Sequence, residues 1–116
     1  MAASPRKSNT ATLWPITPES ALRLALARDL LAECPPHLGR EVAVTGSVSR
    51  GVADAFSDLE LNFWVEEVPL LGELQAWLCS RGVDVEPLVD PLEDGSVWLR
   101  GWRDGIPIEA GWHPWA

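Results

Sequence analysis

The sequence has few cysteines and few basic residues, and each shortage excludes a class of protein. Two cysteines, Cys34 and Cys79, are too few for a disulfide framework and lack metal-ligand spacing, so we expect both to be small buried apolar side chains. Nine Lys and Arg residues against seventeen Asp and Glu give a net charge of −8. This balance disfavours a long nucleic acid as partner or substrate.

A long uninterrupted apolar run is also missing. The most apolar stretch near the N-terminus, residues 21–32, is interrupted by Arg23, Arg28 and Asp29. It therefore predicts neither a signal-peptide core nor a membrane span. We expect a cytoplasmic protein without membrane contact.

What remains predicts one small α+β domain. A chain of 116 residues can bury about two-thirds of its unfolded surface, which is enough for a single core. Residues 1–16 are rich in Ser, Thr, Ala and Pro and predict a flexible tail, so the domain is expected over residues 17–116.

Periodicity predicts the order of the elements. One helix is expected from the Thr17-Pro18-Glu19 start to a stop before Cys34, and a second from Leu70 to about Ser80. The first helix should carry one apolar side, formed by Leu22, Ala25, Leu26 and Leu30. Five strands are expected, near Val42, Leu59, Val83, Val97 and Ile106. With a short helix after the first strand, this order predicts a mixed, mostly antiparallel sheet with helices packed on one face.

The most informative stretch contains a glycine-serine pair followed by two acids. Gly46-Ser47 ends the first predicted strand, ten residues follow, and Asp58 and Glu60 then flank Leu59. On a strand, Asp58 and Glu60 would point to the same side while Leu59 and Leu61 enter the core. Two adjacent carboxylates stay ionised together most easily when a divalent cation lies between them.

The residues before these acids suit an anion. Gly46-Ser47 and Ser49-Arg50-Gly51 form a turn whose backbone N–H groups, hydroxyls and guanidinium could contact phosphate. If a helix opens near Val48, its N-terminus would add a partial positive charge. The pattern indicates a loop that holds a triphosphate beside carboxylates that hold its magnesium ion.

This motif resembles the signature of the DNA polymerase beta-like nucleotidyltransferase superfamily, which includes aminoglycoside-type and minimal nucleotidyltransferases. The resemblance implies transfer of a nucleoside monophosphate from a nucleoside triphosphate, expected to be ATP, to an acceptor hydroxyl. It also implies one or two Mg²⁺ ions held by three carboxylates, of which Asp58 and Glu60 are the first two. Gly46, Ser47, Ser49 and Arg50 would bind the nucleotide.

The third carboxylate should come from a later strand. Asp104-Gly105 predicts a tight hairpin turn, and Glu109 is an acid inside the apolar second arm of that hairpin. Asp84 and Glu86 are the rivals, but their alternation also fits a solvated strand face. We prefer Glu109 because an isolated acid in a hydrophobic strand needs a partner.

Seven tryptophans leave two interpretations open. They can fill the core, or they can stack on a base or sugar or receive a partner. Trp112 and Trp115, near the chain end, are the best candidates for an exposed patch that receives a second copy or a partner domain. His113, between them, is expected on the surface without a catalytic role.

Two functions follow from these patterns. The first is a nucleotidyltransferase with Asp58, Glu60 and Glu109 as catalytic metal ligands and a small-molecule or protein acceptor. The resemblance implies that relatives that modify small molecules carry a further helical part. This chain is therefore expected either to be a minimal enzyme that borrows its acceptor site from a partner or a second copy, or to be a truncated or degenerate relative that binds nucleotide weakly. The alternative is a non-catalytic or antitoxin-like module of the same fold that acts through a partner protein.

Overall fold

Three helices and five strands follow one another in the predicted order within residues 16–87 and 91–115, the part of the chain described by this computed structural model. Their bounds are α1 Pro18–Leu31, β1 Glu41–Thr45, α2 Gly46–Ser49, β2 Leu59–Val65, α3 Leu71–Ser80, β3 Asp84–Val85, β4 Val97–Arg103 and β5 Ile106–Pro114. Residues 1–15 of the predicted tail lie outside the described residues, as do residues 88–90 and Ala116. No helix in the described part is long and apolar enough to span a membrane.

The five strands form one sheet in the order β1-β2-β5-β4-β3. Only β2 and β5 run parallel, and the other three pairs are antiparallel. The predicted α+β class with a mixed, mostly antiparallel sheet is therefore confirmed. The β4–β5 hairpin turns at Asp104-Gly105 as predicted, where both residues have positive φ, 54° and 77°. This is the conformation that a two-residue hairpin turn requires.

Alternation gives the sheet two unlike faces. Leu59, Leu61 and Phe63 of β2 are fully buried on the side of the helices, together with Ile108 and Ala110 of β5. The residues between them project from the opposite side. We call that side the polar face, and its residues are Thr45, Glu60, Asn62, Trp64, Trp98, Arg100, Glu109 and His113.

Helix α1 begins as predicted but buries a different side. The Thr17 hydroxyl accepts a hydrogen bond from Ser20 N at 3.1 Å, and Pro18 occupies the first turn. Leu22 and Ala25, expected on the buried side, are exposed. The buried side is instead formed by Ser20, Arg23, Leu26, Ala27 and Leu30. The first half of α1 lies against a loop that offers backbone polar groups, so polar side chains are favoured there.

Trp112 is not exposed, contrary to the prediction from its place near the chain end. It is fully buried on the helical side of β5, stacks on Phe63 with ring centroids 4.4 Å apart, and its indole Nε1 donates to Leu38 O at 2.8 Å. The prediction that Trp112 is exposed was wrong because the even-numbered residues of β5, Trp112 among them, face the helices. Trp115 is 40% exposed, as expected, with the Arg40 guanidinium 4.6 Å from its ring centroid.

The cysteines also differ from expectation. Cys79, near the end of α3, is exposed, and Cys34 is half-buried. Burial raises the pKa of the Cys34 thiol, while the nearby Arg81 charge lowers it by a smaller amount. Neither thiol lies on the polar face.

Candidate functional site

The glycine-serine turn follows β1 directly. Gly46 has φ 74° and Gly51 has φ 73°, values at which a side chain would strain the backbone. The helix between them, α2, begins at Gly46 rather than Val48 and has only four residues. A helix of one turn carries little dipole, so the predicted helix charge contributes little here.

The predicted phosphate-binding side chains differ in their surroundings. The Ser49 hydroxyl donates to Gly46 O at 2.7 Å and thus closes the turn. Ser47 is half-buried, whereas Ser49 and Arg50 are exposed. Arg50 caps α2 and is free to extend its guanidinium into solvent. Gly46 and Ser47 are therefore the members of this group that lie nearest the strands.

The two acids of the motif fall on either side of a strand start. Asp58 was predicted to lie within the second strand. β2 begins at Leu59, however, so Asp58 lies one residue before the strand. Glu60 lies within the strand on the polar face. A Cβ placed on Gly46 would be 3.1 Å from Glu60 Oε1, so the Glu60 carboxylate lies directly against the glycine-serine turn.

Glu109 is the direct neighbour of Glu60. In the parallel β2–β5 register these two residues are paired. Adjacent strands are about 4.8 Å apart, so the two side chains leave the polar face side by side. Asp84, the rival third acid, lies on β3, two strands away from β5. The topology therefore places Glu109, and not Asp84, beside Glu60.

Arg100 lies opposite Glu109 on β4. Its Nε is 3.4 Å from Glu109 Oε2, in a pair that is half exposed to solvent. Both side chains border a cleft of about 450 Å³ on the polar face. The cleft is lined by Glu60, Glu86, Pro87, Trp98, Leu99, Arg100 and Glu109. Glu86, the other rival acid, thus borders the same cleft from its far side.

The residues fit a magnesium ion that is bound together with a nucleotide. Within residues 16–87 and 91–115, no three His, Cys, Asp or Glu side chains come close enough to hold one metal ion by themselves. Magnesium commonly keeps several waters and uses one or two carboxylates plus substrate phosphates. The neighbouring carboxylates Glu60 and Glu109 are compatible with that requirement, and the roles of Asp58, Glu60 and Glu109 as metal ligands stay predictions.

A polar network that the sequence analysis missed continues the same face beyond the acids. His113 Nε2 lies 2.8 Å from Asn62 Oδ1 and His113 Nδ1 lies 3.0 Å from Ser96 Oγ, while Asn62 Nδ2 donates to Thr45 Oγ1 at 2.9 Å. The His113 ring also contacts the rings of Trp64 and Trp98. His113 is therefore part-buried rather than a surface histidine. Its position four residues after Glu109, on the same side of β5, was the available signal.

Comparison with solved structures finds two similar chains, both of the Cid1 poly(U) polymerase. One is a point mutant bound to MgATP, with a TM-score of 0.58 and 17% identity, and the other is bound to MgGTP, with a TM-score of 0.53 and 16% identity. Each match covers 84% of this chain. The polymerase is a member of the DNA polymerase beta-like nucleotidyltransferase superfamily.

The chain has the nucleotidyltransferase fold. The resemblance inferred from Gly46-Ser47, Asp58 and Glu60 is thereby confirmed at the level of fold. The match spans 33% of the polymerase chain, so the nucleotidyltransferase fold described here corresponds to about a third of that protein. No family model and no curated protein matches the sequence.

Proposed function

We propose that this chain is a metal-dependent nucleotidyltransferase that moves a nucleoside monophosphate from a nucleoside triphosphate to an acceptor hydroxyl. The observation that carries the proposal is the pairing of Glu60 with Glu109 on neighbouring parallel strands, with the Gly46-Ser47 turn against Glu60. The fold of the similar polymerase, whose structures hold MgATP and MgGTP, supports it.

In this proposal each residue has a distinct task. Glu60 and Glu109 hold one or two Mg²⁺ ions, and Asp58 joins them from the end of the preceding loop. When bound, the metal neutralises phosphate charge and lowers the pKa of the acceptor hydroxyl. Gly46 lets the turn approach Glu60 closely, and Ser47 and Arg50 contact the β- and γ-phosphates. Catalysis then depends on positioning and charge neutralisation, without a side-chain nucleophile.

The donor we propose is ATP and the acceptor a small molecule or a protein. The net charge of −8 supports this acceptor class, because a polyanionic nucleic acid would be repelled by the surface. The protein that shares the fold is a poly(U) polymerase, as its name states, so this acceptor choice distinguishes the two proteins. We further propose that the protein acts in the cytoplasm, where its donor is available.

Calorimetry with Mg²⁺ and a non-hydrolysable ATP analogue tests the proposal. The chain should bind the analogue only with Mg²⁺, and Glu60→Gln or Glu109→Gln should weaken binding about 10-fold or more, since each removes a charged ligand. Glu67→Gln, a change of the same type at an exposed residue off the polar face, should bind normally. If the Glu60 and Glu109 variants bound the analogue as tightly as the unaltered chain, the metal assignment would be refuted.

A second candidate function is supported by the ion pair between Arg100 and Glu109. A guanidinium beside the second carboxylate neutralises charge that a metal would otherwise neutralise. This arrangement suits a non-catalytic or antitoxin-like module that acts through a partner protein. Release of pyrophosphate from labelled ATP in the presence of candidate acceptors favours the enzyme. A stable hetero-complex without turnover favours the module.

A further inference from the structure

The loop that joins the glycine-serine turn to Asp58 lies against the beginning of α1. Thr17, Ser20 and Arg23 are spaced three residues apart at the start of this helix and therefore share one side of it. All three side chains bond to the backbone of the loop. The spacing places a row of polar groups where an amphipathic helix would carry apolar ones.

Thr17 and Ser20 hold the middle of the loop. Thr17 Oγ1 donates to Ala53 O at 2.6 Å, and Ala53 N donates to Ser20 Oγ at 2.9 Å. Thr17 N also donates to Gly51 O at 3.0 Å. Both Ser20 and Ala53 are buried, so these bonds satisfy backbone groups that water does not reach.

Arg23 holds the end of the loop. Its Nε donates to Ser57 O at 2.9 Å and its Nη2 to Ala55 O at 3.4 Å, while Nη1 donates to Glu19 O within α1 at 3.1 Å. The Ser57 carbonyl belongs to the peptide group that ends at the Cα of Asp58. Arg23 therefore fixes the plane from which the Asp58 side chain departs.

Arginine side chains are seldom buried as deeply as Arg23. Arg23 is 3% exposed, and none of the ion pairs among the described residues includes it. Burying a charge is costly unless the group is hydrogen-bonded, and the Arg23 guanidinium meets that condition by donating to the carbonyls of Glu19, Ala55 and Ser57. What a guanidinium adds is several donors in a rigid planar fork, which fixes the geometry of the carbonyls it bonds.

The loop also has internal bonds that keep its tip in one shape. Asp54 Oδ1 accepts from Phe56 N at 2.9 Å and from Ser57 Oγ at 3.1 Å. The Phe56 N–H, followed by the Ser57 hydroxyl, holds the pKa of Asp54 below its ordinary value. The loop is thus tied both to itself and to α1 immediately before Asp58.

We propose that Arg23 is a positioning residue that orients Asp58 toward the site shared by Glu60 and Glu109. The inference rests on the proposed function, because it assigns Asp58 a share in binding the metal and nucleotide. Arg23 itself contacts neither, and it acts only through the Ser57–Asp58 peptide group. Outer groups that orient metal ligands typically change metal affinity about 10- to 100-fold when they are removed.

The experiment compares three variants with the unaltered chain. Arg23→Met removes the hydrogen bonds and keeps an unbranched side chain, whereas Arg23→Lys keeps the charge with fewer donors. Ser20→Ala is the matched structural control, because it loosens the same loop at Ala53 without touching the Ser57 carbonyl. The readouts are amide hydrogen exchange at residues 55–58 in the free protein and the affinity for Mg²⁺ with an ATP analogue. Urea titrations give the stability of each variant.

Arg23→Met should exchange faster at residues 55–58 and bind the analogue about 10- to 100-fold more weakly, and Arg23→Lys should recover part of that affinity. Ser20→Ala should lose stability but keep its affinity. If Arg23→Met does not fold, the comparison of Arg23→Lys with Ser20→Ala decides the question. Unchanged affinity in the Arg23 variants overturns the proposal. The proposal is also overturned if the Arg23 and Ser20 variants lose affinity in the same proportion to their loss of stability.

The two proposals fail in different ways. If the unaltered chain binds no analogue, the proposed function fails, and a positioning role for Arg23 toward a nucleotide fails with it. Hydrogen exchange then shows whether Arg23 at least orders the loop. If the unaltered chain binds the analogue normally but hydrogen exchange is unchanged in Arg23→Met, the inference about Arg23 fails and the proposed function stands.

Discussion

Arg100 is the residue whose role most sharply separates the two candidate functions. Its ion pair with Glu109 is partly exposed, and such pairs contribute at most about 1 kcal/mol. In the proposed enzyme, a magnesium ion would compete with Arg100 for the same carboxylate. We therefore predict that Arg100→Gln binds Mg²⁺ with an ATP analogue up to about fivefold more tightly, as measured by calorimetry.

The matched change Arg50→Gln should have the opposite effect, because Arg50 is proposed to contact phosphate rather than a carboxylate. A weaker affinity in Arg100→Gln would contradict this account. It would mean that Arg100 contacts the nucleotide itself.

Trp112 and Trp115 provide a second test at the residue scale. Trp112→Phe leaves the buried Leu38 carbonyl without its indole donor, so we predict a loss of about 1–3 kcal/mol in the free energy of unfolding. Trp115→Phe should lose less than about 1 kcal/mol, mainly from its contact with Arg40. Urea denaturation followed by circular dichroism measures both. Equal losses would contradict the burial of Trp112.

Residue positions were predictable where alternation decides them. Leu59 and Leu61 were expected in the core and are fully buried there. Trp112 and His113 were misplaced because nearness to the chain end was given more weight than the alternation of β5. The polar network around His113 could not be predicted, because it joins residues on four strands or their ends whose register is a tertiary property.

At the scale of elements, the close approach of β3 to β4 depends on a glycine. A Cβ on Gly101 would overlap the backbone of Asp84 and lie 2.8 Å from the Val83 side chain. We predict that Gly101→Ala separates β3 from β4 and lowers the free energy of unfolding by about 1–3 kcal/mol. Thermal denaturation measures the effect.

Gly72, near the start of α3, is the control for that change. A Cβ there meets nothing within 4 Å, so Gly72→Ala should be neutral or stabilise by up to about 1 kcal/mol. Comparable destabilisation by both substitutions would show that the effect at Gly101 is not due to the contact with β3.

The elements themselves were largely predictable and their packing was not. Caps at Thr17 and the Asp104-Gly105 turn are local signals, and the predicted order of helices and strands is confirmed. The prediction of which side of α1 is buried was wrong, because polar residues spaced three apart normally indicate a side that faces solvent. Their true partners are backbone groups of a loop that is more than thirty residues away in sequence.

At the scale of the whole molecule, the candidate site depends on one long-range event, the parallel pairing of β2 with β5. Sequence alone indicates that Glu60 and Glu109 each lie within an apolar strand. It cannot indicate that these strands are neighbours, because strand order is set by the packing of the whole sheet. Choosing Glu109 over Asp84 relied on the cost of an isolated acid in an apolar strand. The sheet order places Glu109 beside Glu60, and its role as a metal ligand stays a prediction.

The most direct test of the central claim is a crystal structure of the chain with Mg²⁺ and a non-hydrolysable ATP analogue. The account predicts a magnesium ion bound by Glu60 and Glu109, the triphosphate beside the Gly46-Ser47 turn, and Arg100 displaced from Glu109. A nucleotide bound away from the polar face, or an intact Arg100–Glu109 pair with no ion between Glu60 and Glu109 at saturating Mg²⁺ and nucleotide, would contradict it.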